Sequence, residues 1–225
     1  MFKRRLISFL GLPAAGILLA AGLVLLETSY GLAASEPEMD VDKDGPYYEG
    51  PVYFGFSDFS ADRESIEDRL IFAISEEYEA ARAAGLTPDN EAWPVGGVYV
   101  AAYSFTNVKL AVALAVAVEG GCEVTVVMDK KQSQGKGSLA SYLASKGVTV
   151  YLDSSHNAMH SKYIICLSQH AVYTGSYNFT ENAKKNAENI VGFRDNIFLT
   201  AAFVVDFMDH IRHSEILDIK KRGNQ

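Results

Sequence analysis

From residue 51 onward the sequence predicts an α/β domain: a mixed, largely parallel sheet flanked by helices on both faces. Two observations predict it. Short runs rich in Val, Ile and Tyr alternate with longer runs whose apolar residues recur at helical spacing. Repeated βα units of this length imply strands with parallel character, covered by helices. The chain has 225 residues, 48% of them hydrophobic, which is enough to bury one ordinary core. No internal repeat is present.

The first residues, Met1 to Arg5, are basic, and an apolar run follows from Leu6 to Leu26 before the small pair Ala33-Ala34. That order is the pattern of a secretory leader over 1–34, with cleavage expected after Ala33 or Ala34. The run of about 21 residues would also span a bilayer as a helix, so an uncleaved signal anchor through residues 6–26 is the alternative. Residues 35–50 are acidic and contain Pro and Gly, and read as a linker. The domain occupies 51–225. Export to a bacterial periplasm or the medium is the expected destination.

Val52 to Phe56 reads as a strand, followed by a helix with Ser60 as its N-cap and Asp62 in the first turn. Ile66, Leu70, Ile74 and Tyr78 form one core-facing stripe along it. Gly85 to Gly97 is a loop. Val98 to Tyr103 is a buried strand, and the Ala/Val-rich segment Val108 to Val118 a mostly buried helix stopped by Gly120-Gly121. Glu123 to Met128 is a strand, Ser138 to Ser145 a helix and Val148 to Leu152 a strand. Tyr163 to Leu167 and Ala171 to Thr174 are two more strands, joined by a turn at Ser168 to His170.

Removing residues 1–34 takes away Lys3, Arg4 and Arg5 against Glu27, so the formal charge moves from −8 to −8 − 3 + 1 = −10. Nucleic-acid enzymes usually show a basic face. Attraction for a polyanion must therefore come from local groups such as Lys130, Lys131 and Lys136, or Lys184 and Lys185. Cys122 and Cys166 lie beside apolar runs and read as small core residues, although an oxidising compartment would allow them to pair. No Cys/His group has zinc-ligand spacing, and no metal or cofactor is expected. His156, His170, His210 and His213 read as packed or surface residues.

The segment that carries chemistry is His160-Ser161-Lys162, the strand that follows it, Gly175-Ser176-Tyr177-Asn178, and Glu188. Residues two apart on a strand point to the same side, so His160 and Lys162 share a face. A partly unprotonated imidazole attacks phosphorus near neutral pH, which makes His160 the candidate nucleophile. Lys162 would neutralise phosphate oxygens as charge builds. Gly175 permits a tight turn, after which Ser176 and Asn178 offer two donors to a phosphate oxygen. Glu188 could hold the far nitrogen of His160, as the acid of a hydrolase triad does. Asn178-Phe179-Thr180 also matches a glycosylation sequon, read as coincidental because a glycan would block the site.

These motifs, with Ala102 to Thr106 and Val126 to Asp129, resemble the phospholipase D superfamily, in particular its small bacterial endonuclease branch, with which the mitochondrial cardiolipin hydrolases are grouped. The resemblance covers roughly residues 51–215. It implies a phospholipase D/nuclease-like fold and a metal-independent phosphodiesterase working through a phosphohistidine, with His160, Lys162, Ser176, Asn178 and Glu188 in the roles just given. The family motif usually carries an aspartate after four further residues beyond the lysine; here Leu167 stands there. The chemistry serves a nuclease and a phospholipase D alike, and a non-catalytic binding module is the third reading. Phosphohistidine chemistry needs a second, protonated imidazole for the leaving oxygen. Larger members carry two motif copies in one chain. This one has a single copy, so a homodimer sharing one active site across a two-fold axis is expected.

Overall fold

The computed structural model describes residues 52–56, 65–85 and 96–219. The expected leader or anchor, the linker, Ser60 and Asp62, and most of the Gly85 to Gly97 loop lie outside them. Strand β1 (Val52–Phe56) is followed by α1 (Ile66–Ala83), β2 (Gly97–Ala102), α2 (Val108–Glu119), β3 (Glu123–Asp129), the single turn α3 (Lys130–Ser133), α4 (Ala140–Ser145) and β4 (Thr149–Asp153). Then come β5 (Lys162–Cys166), β6 (Ala171–Gly175), a 3-10 turn (Ala183–Lys185), β7 (Asn189–Phe193), α5 (Ile197–Arg212) and the short β8 (Glu215–Ile216).

The strands form one eight-stranded sheet in the order β1-β7-β6-β5-β2-β3-β4-β8. It is mixed, as expected, but parallel pairing is confined to β2 with β3 and β3 with β4. The other five pairings are antiparallel, more than the βα alternation implied. The reason is local. The link from Cys166 to Ala171 is too short for a crossover and closes β5 on β6 as a hairpin, and His170 takes the positive φ of 44° that the reversal needs.

Both faces are covered, and period-2 alternation assigns the residues. Val98, Val100 and Ala102 of β2 join Val124, Val126 and Met128 of β3, and Ile164 and Cys166 of β5, in a core shared with Leu70 and Ile74 of α1 and Leu110 and Leu114 of α2. The intervening Tyr99, Ala101, Val127, Tyr163 and Ile165 face α5 through Phe203, Phe207 and Ile211. Phe207 is fully buried and stacks on Tyr99, ring centres 5.0 Å apart. Truncating such a ring to Ala costs about 3–5 kcal/mol. Both cysteines are free and buried, as the core reading expected, and burial pushes the Cys122 thiol up to about 12.

Two local expectations change. The cap of α1 is Ser65, whose Oγ accepts from Asp68 N at 3.1 Å. Helix α2 is only half buried: Val108, Val112 and Val116 form an exposed stripe opposite Leu110, Ala111 and Leu114. An all-apolar stretch gives no polar face from which to read which side is turned outward.

Candidate active site

The topology brings six chain segments to one rim of the sheet. The carboxyl ends of β2, β3, β4 and β6 lie there, with the amino ends of the antiparallel β5 and β7. In open α/β sheets ligands bind beyond the carboxyl ends of parallel strands. His160 precedes β5 at this rim, and Lys162 opens the strand opposite Ala102 of β2. The segment is anchored on both sides. Met159 N donates to the buried Asp129 carboxylate at 3.1 Å, and Tyr103 N donates to Ser161 O at 3.1 Å.

His160 is exposed and Lys162 is buried. The Lys162 ammonium donates to the His160 carbonyl at 2.7 Å and lies 3.2 Å from Nδ1 and 3.4 Å from Nε2 of the same residue. Burial lowers the Lys162 pKa, and the negative charge of Glu188 opposes that shift. Tyr103 was not singled out by sequence reasoning. Its ring packs against the imidazole at 4.6 Å and lies 5.3 Å from the ammonium, while Gln132 Nε2 donates to its hydroxyl at 3.1 Å. The pair borders an open depression of about 430 Å³ lined also by Thr174, Gly175, Phe203 and Asp206.

The second half of the site hangs on Ser176. Its N–H donates to Asn189 O and Oδ1, both at 3.1 Å, and its Oγ accepts from Asn189 N at 3.0 Å. The Ser176 hydroxyl donates to Glu188 Oε2 at 2.5 Å, and Asn186 Nδ2 donates to Oε1 at 3.1 Å. Sequence reasoning set Glu188 against the imidazole. Here its two oxygens orient Ser176 and Asn186, and its charge is felt at Lys162. Gly175 is required by close approach rather than by a turn, since a Cβ there would fall 2.3 Å from Asn189 O. Asn178 is half-buried, and its amide oxygen is buried without a protein hydrogen-bond partner. A buried acceptor in that state calls for a bound water or a ligand donor.

A profile of the family described as "Cardiolipin synthase, PLD-like domain" matches residues 96–211, from the start of β2 into the last turn of α5. The chain belongs to the phospholipase D-like family. Phospholipase D of Rickettsia conorii is 32% identical over 99 residues, covering 44% of this chain and 49% of that protein. Mitochondrial cardiolipin hydrolase of Xenopus laevis is 33% identical over 100 residues, covering 44% and 47%. The chain spans about half the length of the curated relatives it matches. The solved structure of Nuc from Salmonella typhimurium, described as a phospholipase D family member, aligns with a TM-score of 0.60 and 27% identity, covering 74% of this chain and 97% of Nuc.

Within this phospholipase D-like domain, Leu167 sits just past the far end of β5, five residues from Lys162 and therefore about 16 Å away along a strand. It packs on Gly97 and is remote from the imidazole. The neighbouring turn is organised by Glu77 of α1, which accepts from Gly97 N, Ser168 N, Ser168 Oγ and Gln169 N. Three histidines read as ordinary are in fact gathered: His156, His210 and His213 converge on Asp153. A separation of 57 residues between Asp153 and His210 hides that grouping from any spacing rule.

Proposed function

We propose that this chain is a phosphodiesterase acting through a phosphohistidine on His160, with nucleic acid as substrate. The observation that carries the reading is the exposed imidazole of His160 fixed within 3.2–3.4 Å of a buried ammonium at the lip of an open depression. A ring nitrogen of His160 bonds to phosphorus as the bond from phosphorus to the leaving oxygen breaks. That oxygen takes a proton from a second, protonated imidazole. Water then attacks the phosphohistidine and returns its proton to the second imidazole, the N–P bond breaks, and a phosphomonoester leaves. Lys162 carries the charge that develops on the non-bridging oxygens, with the Asn178 amide as a further donor, while Ser176 could join it only by exchanging its bond to Glu188 for one to phosphate. Glu188 fixes the Ser176 hydroxyl and sustains the charge on Lys162.

The second imidazole is His160 of another copy. Among the described residues, His170 lies at the β5–β6 turn and the other three histidines surround Asp153. A two-fold dimer with one shared site supplies the missing acid. Sedimentation with activity followed on dilution tests this, and full specific activity in a monomeric species would contradict it. The leader pattern supports a destination outside the cytoplasm, which fractionation of cells expressing the full chain tests.

The nucleic-acid reading rests on the resemblance to the small endonuclease branch and on the single motif copy. A second reading, hydrolysis of a phospholipid headgroup ester, is favoured by the relatives named phospholipase D and cardiolipin hydrolase. Full chain incubated with single- and double-stranded DNA, and separately with phosphatidylcholine or cardiolipin vesicles, each with zinc present and again in EDTA, decides between them. DNA cleavage is expected. Turnover of lipid alone would transfer the assignment, and turnover of neither by folded protein would overturn the phosphodiesterase reading.

A further inference from the structure

Asp153 ends β4 with its side chain fully buried, and three imidazoles reach the same oxygen. His156 Nδ1 and His210 Nδ1 lie 2.9 Å from Oδ2, and His213 Nε2 lies 3.0 Å from it. The other carboxylate oxygen accepts from Ser155 N at 2.8 Å and His156 N at 3.4 Å. One ligand atom from each of the four residues falls within 4.8 Å of the others. The fold builds this deliberately placed group from two elements. Asp153 and His156 come from the end of β4 and the turn after it, while His210 and His213 are three apart at the carboxyl end of α5 and so share a face.

Hydrogen bonding alone accounts for the group poorly. Three ring N–H groups on one oxygen crowd it, and the three rings stand only 5.1–5.5 Å apart, centre to centre. A cation among the four atoms would satisfy all four lone pairs at once. Tetrahedral zinc with bonds near 2.0–2.1 Å sets its ligand atoms about 3.3 Å apart. The carboxylate-to-imidazole distances are already close to that, and the imidazoles need to close by at most about 1.5 Å, which the half-exposed His156 and the partly exposed His213 can do. Three imidazoles and one carboxylate select a first-row transition ion over magnesium or calcium, which take oxygen ligands. Four protein ligands leave no open position, the pattern of a structural rather than a catalytic zinc.

The surroundings match a metal centre as well. The second nitrogen of His210, Nε2, lies 3.7 Å from Asp206 Oδ2, and the same oxygen accepts from Tyr163 OH at 2.7 Å. A carboxylate behind a ligand histidine fixes its orientation and raises its basicity. Ser214 Oγ donates to His210 O at 2.7 Å within the end of α5, and Ser155 Oγ donates to His213 O at 3.2 Å, tying the two contributing elements together.

We propose that Asp153, His156, His210 and His213 bind one zinc ion that clamps the segment between β4 and β5 onto α5. That segment ends at His160, and Tyr163 and Asp206, which stand behind His210, also line the depression beside Lys162. The ion takes no part in the reaction; it fixes the backbone that presents the nucleophile. The inference does not depend on the identity of the substrate.

The test uses full chain stripped with a strong chelator and dialysed, then titrated with zinc against a chromophoric competitor, with cobalt(II) as a spectroscopic substitute. One zinc per chain is expected, together with the intense visible absorption of tetrahedral cobalt and a melting temperature that rises with free zinc, as binding to the native state requires. His156→Ala removes a ligand with little core packing, so the variant should fold and lose all three signals. Asp206→Asn should weaken zinc by roughly 10–100-fold, the usual effect of an outer-shell partner. His160→Ala should bind zinc as wild type does, whatever its activity. Folded wild-type chain that takes up no zinc, or uptake unchanged in both His156→Ala and His213→Ala, would overturn the proposal.

Discussion

Replacing Lys162 with Met separates the catalytic role proposed for the buried cation from its structural one. A unit charge about 4 Å from a phosphate oxygen contributes about 4 kcal/mol at the effective dielectric constant of a protein surface. At about 1.4 kcal/mol per tenfold change in rate, Lys162→Met should lower kcat/KM on a chromogenic phosphodiester by roughly a thousandfold. Stability should respond in the opposite sense. Burial lowers the Lys162 pKa, so the folded state holds the charged form less well than the unfolded chain does. That cost is complete below the folded pKa, shrinks as pH rises, and vanishes above the unfolded lysine value near 10.4. The variant loses the bond to the His160 carbonyl, but this residue is exposed and water replaces the donor. Thermal melts at neutral pH should therefore show the variant at least as stable as wild type, with the difference narrowing towards pH 11. A variant that keeps more than a tenth of wild-type kcat/KM, or one that melts far below wild type, would refute this reasoning.

Three further outcomes follow from the structure. Leu167→Asp should leave kcat/KM unchanged and reduce stability by about 1–3 kcal/mol, because it sets a carboxylate on the packed Gly97 side of β5, near Glu77; a large gain in rate on steady-state assay would contradict the placement. Burial raises the Glu67 pKa, but its contacts with Lys184, Asn107 and Lys109 outweigh that and hold it below the usual carboxylate range. Its contribution is present above the unfolded glutamate value and disappears as pH falls through the folded one, so denaturant midpoints of Glu67→Gln and wild type should converge on acidification. Glu188→Gln removes the charge that opposes the burial shift on Lys162. Titration of the Lys162 ammonium, followed by NMR of its Nζ, should move to lower pH in the variant, whereas a purely structural role for Glu188 would leave that titration in place.

The sequence makes β2, β3 and β5 legible as short, near-continuous apolar runs, because both of their faces are buried against different partners. Strand proportions were less legible. Alternating βα units suggest parallel pairing, and only the short turn before Ala171 shows that β5 must run back along β6. The closeness of His160 and Lys162 is legible from their spacing, although only Lys162 lies in β5 and His160 stands just before it. The role of Glu188 is not, because it depends on which neighbours its oxygens meet, and these are Ser176 and Asn186 across a loop. Tyr103 has no signature of its own beyond ending a buried strand. Asp153, His156, His210 and His213 are the furthest from view: the two halves of the group are joined only when α5 packs across the sheet face and brings its last turn beside the end of β4.

The central claim is that His160 forms a covalent bond to phosphorus, and turnover quenched in alkaline denaturant tests it most directly. Full chain mixed with a phosphodiester carrying a labelled phosphoryl group, then digested and analysed by mass spectrometry under conditions that preserve N–P bonds, should show label on the peptide containing His160. The label should be lost in His160→Ala, with the far-UV spectrum and zinc uptake intact. Label on another residue, or full turnover by His160→Ala, would contradict the account.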